Sequence, residues 1–270
     1  GVIGIPLLPW TCADACAYRC MHENRLLRES REEPAVQYHG RWPFVMYGGM
    51  MEPASVVFSL LNIIPHVVFL ARAPGRWSHL GGQPHAVPVL LQAVLGVVAF
   101  FSSAVFHTRD TWWTERADYV TAFLYTSSIA LTVTHLSLQT AWLRLLFSVS
   151  ITIVCARHLY VMNFVSFSYG TNMLVQLGVV ACSNVLWFYM CFRRRHEPRT
   201  PQAVIIMLLL IAASALELLD FPPVFLIFDA HSLWHAATPL LFAAYYDYVV
   251  SLRPLPPSIT PSETPKQKED

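Results

Sequence analysis

Ser103 and His107 stand four residues apart in SSAVFHTRDTWWTERADY, Ser102–Tyr119, and Asp118 follows the histidine by eleven. A second pair, His231 and His235, has the same spacing in FDAHSLWH, directly after Asp229. Residues four apart share one face of a helix. If the two helix ends meet, three imidazoles converge with one coordination position left for water, which is a common catalytic zinc arrangement. Zinc in such a site polarises a carbonyl and lowers the pKa of its bound water to about 7. Asp118 is then a candidate to orient or deprotonate that water, or to fix a histidine tautomer. Ser103, one turn deeper than His107, is placed to bind a ligand oxygen or a developing oxyanion. Two other readings stand beside this one. The polar groups can form an inter-helix hydrogen-bond network that only holds a bundle together. Ser103 can also be a nucleophile, although no glycine-flanked elbow surrounds it and its only base would be His107. Ser102 faces away and reads as a packing residue.

Helices must position these groups, and composition says what kind. The chain has 270 residues, 55% of them hydrophobic and 13% charged, with a mean hydropathy of +0.44, which points to a membrane protein. A formal net charge of +1 gives no basic face for nucleic acid. A bilayer core of about 30 Å needs roughly 20 helical residues. Seven stretches qualify, near 53–71, 86–106, 118–138, 141–156, 171–192, 202–219 and 232–250. The first, second, fifth and seventh are the clearest, while the fourth is short and must extend into residues 157–161 or tilt. The predicted fold is an all-α, seven-transmembrane-helix bundle over residues 53–250, with a small cysteine-containing lumenal region at 1–52 and a disordered cytoplasmic tail at 251–270.

Arginine placement predicts the orientation. ARAPGR after the first segment and CFRRRHEPR after the fifth read as cytoplasmic loops. Alternation then puts residues 1–52, the 108–117 hairpin and the start of the seventh segment on the lumenal or exterior side, so both histidine pairs share one face of the membrane. Arg109 and Arg116 run against the rule there, accompanied by Asp110 and Glu115.

On the same lumenal side, Cys12, Cys16 and Cys20 are candidates for disulfides. Three is an odd number, which leaves one thiol free or paired outside this chain, and a zinc site is the lesser reading. Gly1 is not an initiator methionine, so upstream sequence is expected to have been processed or cut away. Cys155, Cys182 and Cys191 read as small buried hydrophobes. Asn62 and His66 lie four apart on a face that could line the bundle, although Pro65 beside them suggests a kink with local backbone repair. His135 falls at the opposite end of the third segment from Asp118. Glu217 and Asp220 are candidates for supporting hydrogen bonds or a helix-ending network. Arg157 and His158 are candidates to meet an anionic headgroup or to hold their loop. Trp42, Trp112, Trp113 and Trp234 fit an interfacial aromatic belt.

WTCADACAYRCM, QYHGRWPF, MEPAS, FHTRD with ADY, and ELLDFPPVFLIFDAHSLWH resemble the Per1-like family, from the cysteine region through the seventh segment. That family lies within a larger superfamily of seven-helix hydrolases that includes alkaline ceramidases and adiponectin-type receptors. The superfamily pattern corresponds to Ser103, His107, Asp118, His231 and His235. The resemblance implies Zn2+ on the three histidines, Asp118 assisting the water and Ser103 stabilising the oxyanion. It also implies a phospholipase A2 that removes the sn-2 acyl chain from the phosphatidylinositol of GPI-anchored proteins, in the endoplasmic reticulum or Golgi, with the active site facing the lumen. The family carries further cysteines upstream of the triplet, and this chain begins after them. A ceramidase-type amide hydrolase would use the same five residues. A receptor or chaperone with a structural metal is the non-enzymatic alternative.

Overall fold

A computed structural model describes residues 10–252, apart from the side chains of residues 76–79 and 217. The tail expected at 251–270 lies outside the described residues beyond Leu252. Eight α-helices are present among the described residues: α1 (Cys12–Ser30), α2 (Pro53–Leu80), α3 (Ala86–Thr108), α4 (Trp112–Ser137), α5 (Ala141–Tyr160), α6 (Tyr169–Arg193), α7 (Thr200–Leu218) and α8 (Ala230–Ser251). Helices α2 to α8 cover the seven apolar stretches, and α1 is additional.

Four helices are long and apolar enough to cross a membrane: Pro53–Gly75, Ala86–Thr108, Ala141–Val165 and Tyr169–Arg193. The third of these corrects the shortness of the fourth stretch, because α5 continues through a π-helical turn, Val161–Val165, to reach 25 residues. The seventh stretch, in contrast, is not among the four. Its helix, α8, turns Ser232, His235, Thr238, Tyr245, Tyr246 and Tyr248 into the protein. Helix α4 likewise buries Ser127, Ser128, Thr132 and Thr134. These two helices face protein on sides where a lipid-facing helix would carry hydrocarbon.

Helix α3 packs between α2 and α4, α2 packs in turn on α8, and α7 closes on α8 while α6 lies against α4. The core between α6, α7 and α8 is built on Trp187, Met190, Tyr248 and Val249, all essentially inaccessible. Trp187 donates its indole N–H to the Ala203 carbonyl at 3.1 Å, so the buried ring is not left with an unmet donor.

Asn62 and His66 line the bundle, on an α2 that includes Pro65 within its length. Asn62 donates to the Phe58 carbonyl at 2.9 Å within its own helix, but also to the His235 carbonyl at 2.7 Å, and it accepts from Thr238 Oγ1 at 2.8 Å. His66 Nδ1 lies 2.7 Å from the Tyr246 hydroxyl. Both residues tie α2 to α8.

Candidate metal centre

Two local devices fix the helix ends that carry the histidines. At the start of α8, Asp229 is the N-cap: its carboxylate accepts from the Ser232 backbone N–H at 2.8 Å, and Ser232 Oγ accepts from the Asp229 N–H at 3.0 Å. This reciprocal box meets two of the donors a helix start leaves unpaired. It sets the first turn, from which His231 and then His235 project. At the end of α3, the last carbonyls have no partner within the helix. The backbone N–H groups of Met51 and Glu52 supply them, donating to the Thr108 and His107 carbonyls at 3.1 and 3.0 Å.

The result is convergence of His107, His231 and His235, whose ligating nitrogens all lie within 4.8 Å of one another. His231 Nε2 is 3.1 Å from His107 Nε2 and 3.0 Å from His235 Nε2. A neutral imidazole carries one N–H, so a three-way meeting of Nε2 atoms is poorly served by hydrogen bonds alone. Three imidazole nitrogens at about 2.05 Å from a tetrahedral zinc would stand about 3.3 Å apart. The donor set and its spacing therefore fit a zinc ion. His107 and His235 are buried and His231 is half-buried.

Around this trio the structure adds residues that spacing in the sequence did not reveal. His107 Nδ1 lies 2.7 Å from Glu52 Oε2, a contact that leaves Nε2 facing the other histidines. Burial opposes the charge on Glu52, but His107 and then Arg41 outweigh it and hold the carboxyl well below its ordinary range. Arg41 reaches Glu52 at 3.6 Å and also pairs with Asp110. The loop before α2 thus presses an ion pair against the back of a candidate ligand. In the sequence Glu52 figures only within MEPAS, with no role assigned, and its partner is 55 residues away.

Ser103 is buried one turn below His107, with its hydroxyl 3.2 Å from Ser59 Oγ. Asp118 sits half-buried on α4, the helix packed along α3. Asp220 is exposed and serves another purpose. It accepts from Trp42 Nε1 at 2.6 Å and from Gln37 Nε2 at 2.8 Å, which fastens the loop before α2 to the α7–α8 connection. Glu217 lies on α7 with its side chain outside the described residues. His158 is buried, bonded to Asn172 Oδ1 at 3.0 Å and packed at a tilt against Phe123, so it holds α5 to α6; Arg157 beside it is exposed.

Cys12, Cys16 and Cys20 occupy successive turns of α1 as exposed free thiols, and no disulfide forms among the described residues. Trp112 and Trp113 are exposed, as a belt requires. Trp42 bonds Asp220, and Trp234 packs beside His235 with ring centroids 4.5 Å apart.

The Per1-like family is matched over residues 3–251. The Mus musculus protein named GPI-specific phospholipase A2-like PGAP3 is 34% identical over 252 residues, covering 92% of this chain and 78% of that one. The Drosophila melanogaster protein named Post-GPI attachment to proteins factor 3 is 34% identical over 246 residues, covering 90% and 75%. The Homo sapiens protein named GPI-specific phospholipase A2-like PGAP3 is 33% identical over 252 residues, covering 92% and 78%.

Proposed function

Since this chain belongs to the Per1-like family, we propose that it is a zinc-dependent phospholipase A2 that removes the sn-2 acyl chain from the lipid of GPI-anchored proteins. The observation that carries the reading is the meeting of His107, His231 and His235 at one point. The relatives' names, which speak of a GPI-specific phospholipase A2-like protein, supply the substrate class. The proposed setting is a seven-span bundle, α2 to α8, in the endoplasmic reticulum or Golgi membrane. Residues 1–52 and the histidines face the lumen in this arrangement, where an ester can reach the site while its acyl chain stays in hydrocarbon.

Zinc held by the three imidazoles would supply Lewis acidity and a water of lowered pKa. The chain's own residues do the rest. Glu52 accepts from His107 Nδ1 and keeps the opposite nitrogen turned to the centre. Asp118 takes the proton from the attacking water and returns it to the departing alkoxide. Ser103, whose hydroxyl is held at 3.2 Å by Ser59, donates to the oxyanion that develops on the former carbonyl.

The test is the zinc content of the purified full chain, by elemental mass spectrometry, beside a His231→Ala/His235→Ala variant, followed by acyl release from GPI lipid labelled separately at sn-1 and sn-2. One zinc per chain, lost in a variant that keeps its helical signal, together with sn-2 label in the released fatty acid, is the expected result. A folded, metal-free wild type sinks the metal mechanism. Release of acyl chain from ceramide, with none from GPI lipid, moves the substrate class to an amide.

A further inference from the structure

Arg116 is the one arginine of the α3–α4 hairpin that forms no ion pair among the described residues. Arg109 pairs with Asp14 at 2.7 Å and Asp110 pairs with Arg41, so the carboxylate that precedes the hairpin's second helix is already engaged. Among the described residues Arg116 makes a single hydrogen bond, from Nη1 to the Met162 carbonyl at 2.9 Å. Its Nε is buried without a partner.

The guanidinium is nevertheless held in place. It lies over the Trp112 ring at 4.6 Å and over the Phe167 ring at 4.9 Å, between two aromatic faces. Such stacking is characteristic of arginine and leaves the Nη2 donors, which no hydrogen bond among the described residues uses, available. A fixed guanidinium with unused Nη2 donors and no ion pair among the described residues matches a phosphate oxygen, which accepts charge-assisted bonds.

A path of touching rings connects this guanidinium to the metal centre. Phe167 contacts Tyr119 at 5.2 Å, Tyr119 contacts Phe106 at 6.3 Å, and Phe106 contacts His107 at 5.2 Å. Arg116 and Tyr119 are three residues apart on α4 and share a face. Exposed Trp112 and Tyr169 flank the outer end, where a lipid would arrive.

We propose that Arg116 is the headgroup-recognition residue of this site, binding the phosphodiester of a phospholipid while the Phe167–Tyr119–Phe106 path leads from that phosphate to His107. The proposal rests on the phospholipase reading and sharpens it. Ceramide and diacylglycerol carry no phosphate for this arginine, so the site should prefer phosphate-bearing lipid.

The experiment uses the purified full chain in mixed micelles. Acyl release is followed from phosphatidylinositol and from diacylglycerol with the same chains, for wild type, Arg116→Ala and Arg116→Lys. In parallel, binding of lysophosphatidylinositol and of inorganic phosphate is measured. Loss of charge-assisted bonds to the phosphate is expected to lower the phosphatidylinositol-over-diacylglycerol ratio of kcat/KM by about 10–100-fold in Arg116→Ala, mainly through KM. Arg116→Lys keeps the charge without the planar guanidinium and recovers part of the ratio. An unchanged ratio in both variants overturns the assignment, as does an equal fall for both lipids, which marks a structural role. If wild type hydrolyses neither lipid, the hydrolase reading fails and binding decides for Arg116. Weaker lysophosphatidylinositol binding by Arg116→Ala then supports headgroup recognition, and unaltered binding overturns it. Inorganic phosphate binding as tightly as the lysolipid overturns the lipid assignment in favour of a simple anion site.

Discussion

Glu52 and His107 are joined twice, by the Glu52 backbone N–H on the His107 carbonyl at 3.0 Å and by the carboxylate on Nδ1 at 2.7 Å. One contact closes the end of α3 and the other orients the imidazole. The side-chain contact can be removed separately. Glu52→Gln keeps the backbone bond and the shape, but loses the charge that favours an Nδ1 proton. Zinc affinity is expected to fall by about 10–100-fold, the usual cost of losing such a supporting partner. Competition with a chelator of known affinity measures this, and an unaltered affinity would show that the His107 tautomer is set elsewhere.

Asp118 separates a hydrolase from a structural metal site. In the proposed chemistry it moves protons and does not bind metal, so Asp118→Asn should retain zinc while acyl release drops by about 10²–10⁴-fold. Zinc content and turnover on the same preparation give the answer. Loss of both together would make Asp118 part of the metal-binding framework instead.

The contrast between Asp118 and Glu52 also shows which parts of the site a sequence displays. Ser103 with His107, and His231 with His235, are local pairs, and the four-residue period of a helix puts each on one face whatever surrounds it. Glu52 has no such period. Its role depends on the packing of α2 on α3 and on the closing of α3's last turn by the backbone of Met51 and Glu52. The same limit applies to Asp220, whose partners Gln37 and Trp42 lie about 180 positions away, and to Arg116, which forms no ion pair among the described residues despite the acid beside it. The apolar stretches located α2 to α8 because burial and lipid both select hydrocarbon. Buried polar side chains lower the hydropathy of α4 and α8, and on α8 they include the candidate ligand His235.

Gly96 tests the packing that holds α2 on α3. A Cβ at this position would come within 2.4 to 2.7 Å of three ring atoms of His66. That ring is confined by Phe100, Tyr125, Phe242 and Tyr246, with centroids 5.4 to 5.6 Å away. Gly96→Ala must displace His66 and break its 2.7 Å contact with Tyr246. Overpacking of this kind costs about 1–3 kcal/mol. A lowered melting temperature in detergent is expected, and a partial recovery on combining Gly96→Ala with His66→Ala would identify the clash as its cause.

His85, at the end of the molecule that carries Arg194 and His135, gives the pH dependence its sign. It is buried, and burial first, then the charge of Arg194 and of His135, lower its pKa from 6.5 to about 4. The folded chain therefore resists a proton that the unfolded chain accepts. Stability from this residue is complete above pH 6.5 and is lost as the pH falls toward 4, because the unfolded state binds the proton first. At 1.36 kcal/mol per pH unit the loss is bounded at about 3 kcal/mol. Melting temperatures of wild type and His85→Gln between pH 7.5 and 4.5 check the argument. The wild type should lose more stability across this interval than the variant, which has no proton to take up. Parallel pH curves would mean that His85 is as easily protonated folded as unfolded, through water reaching the ring.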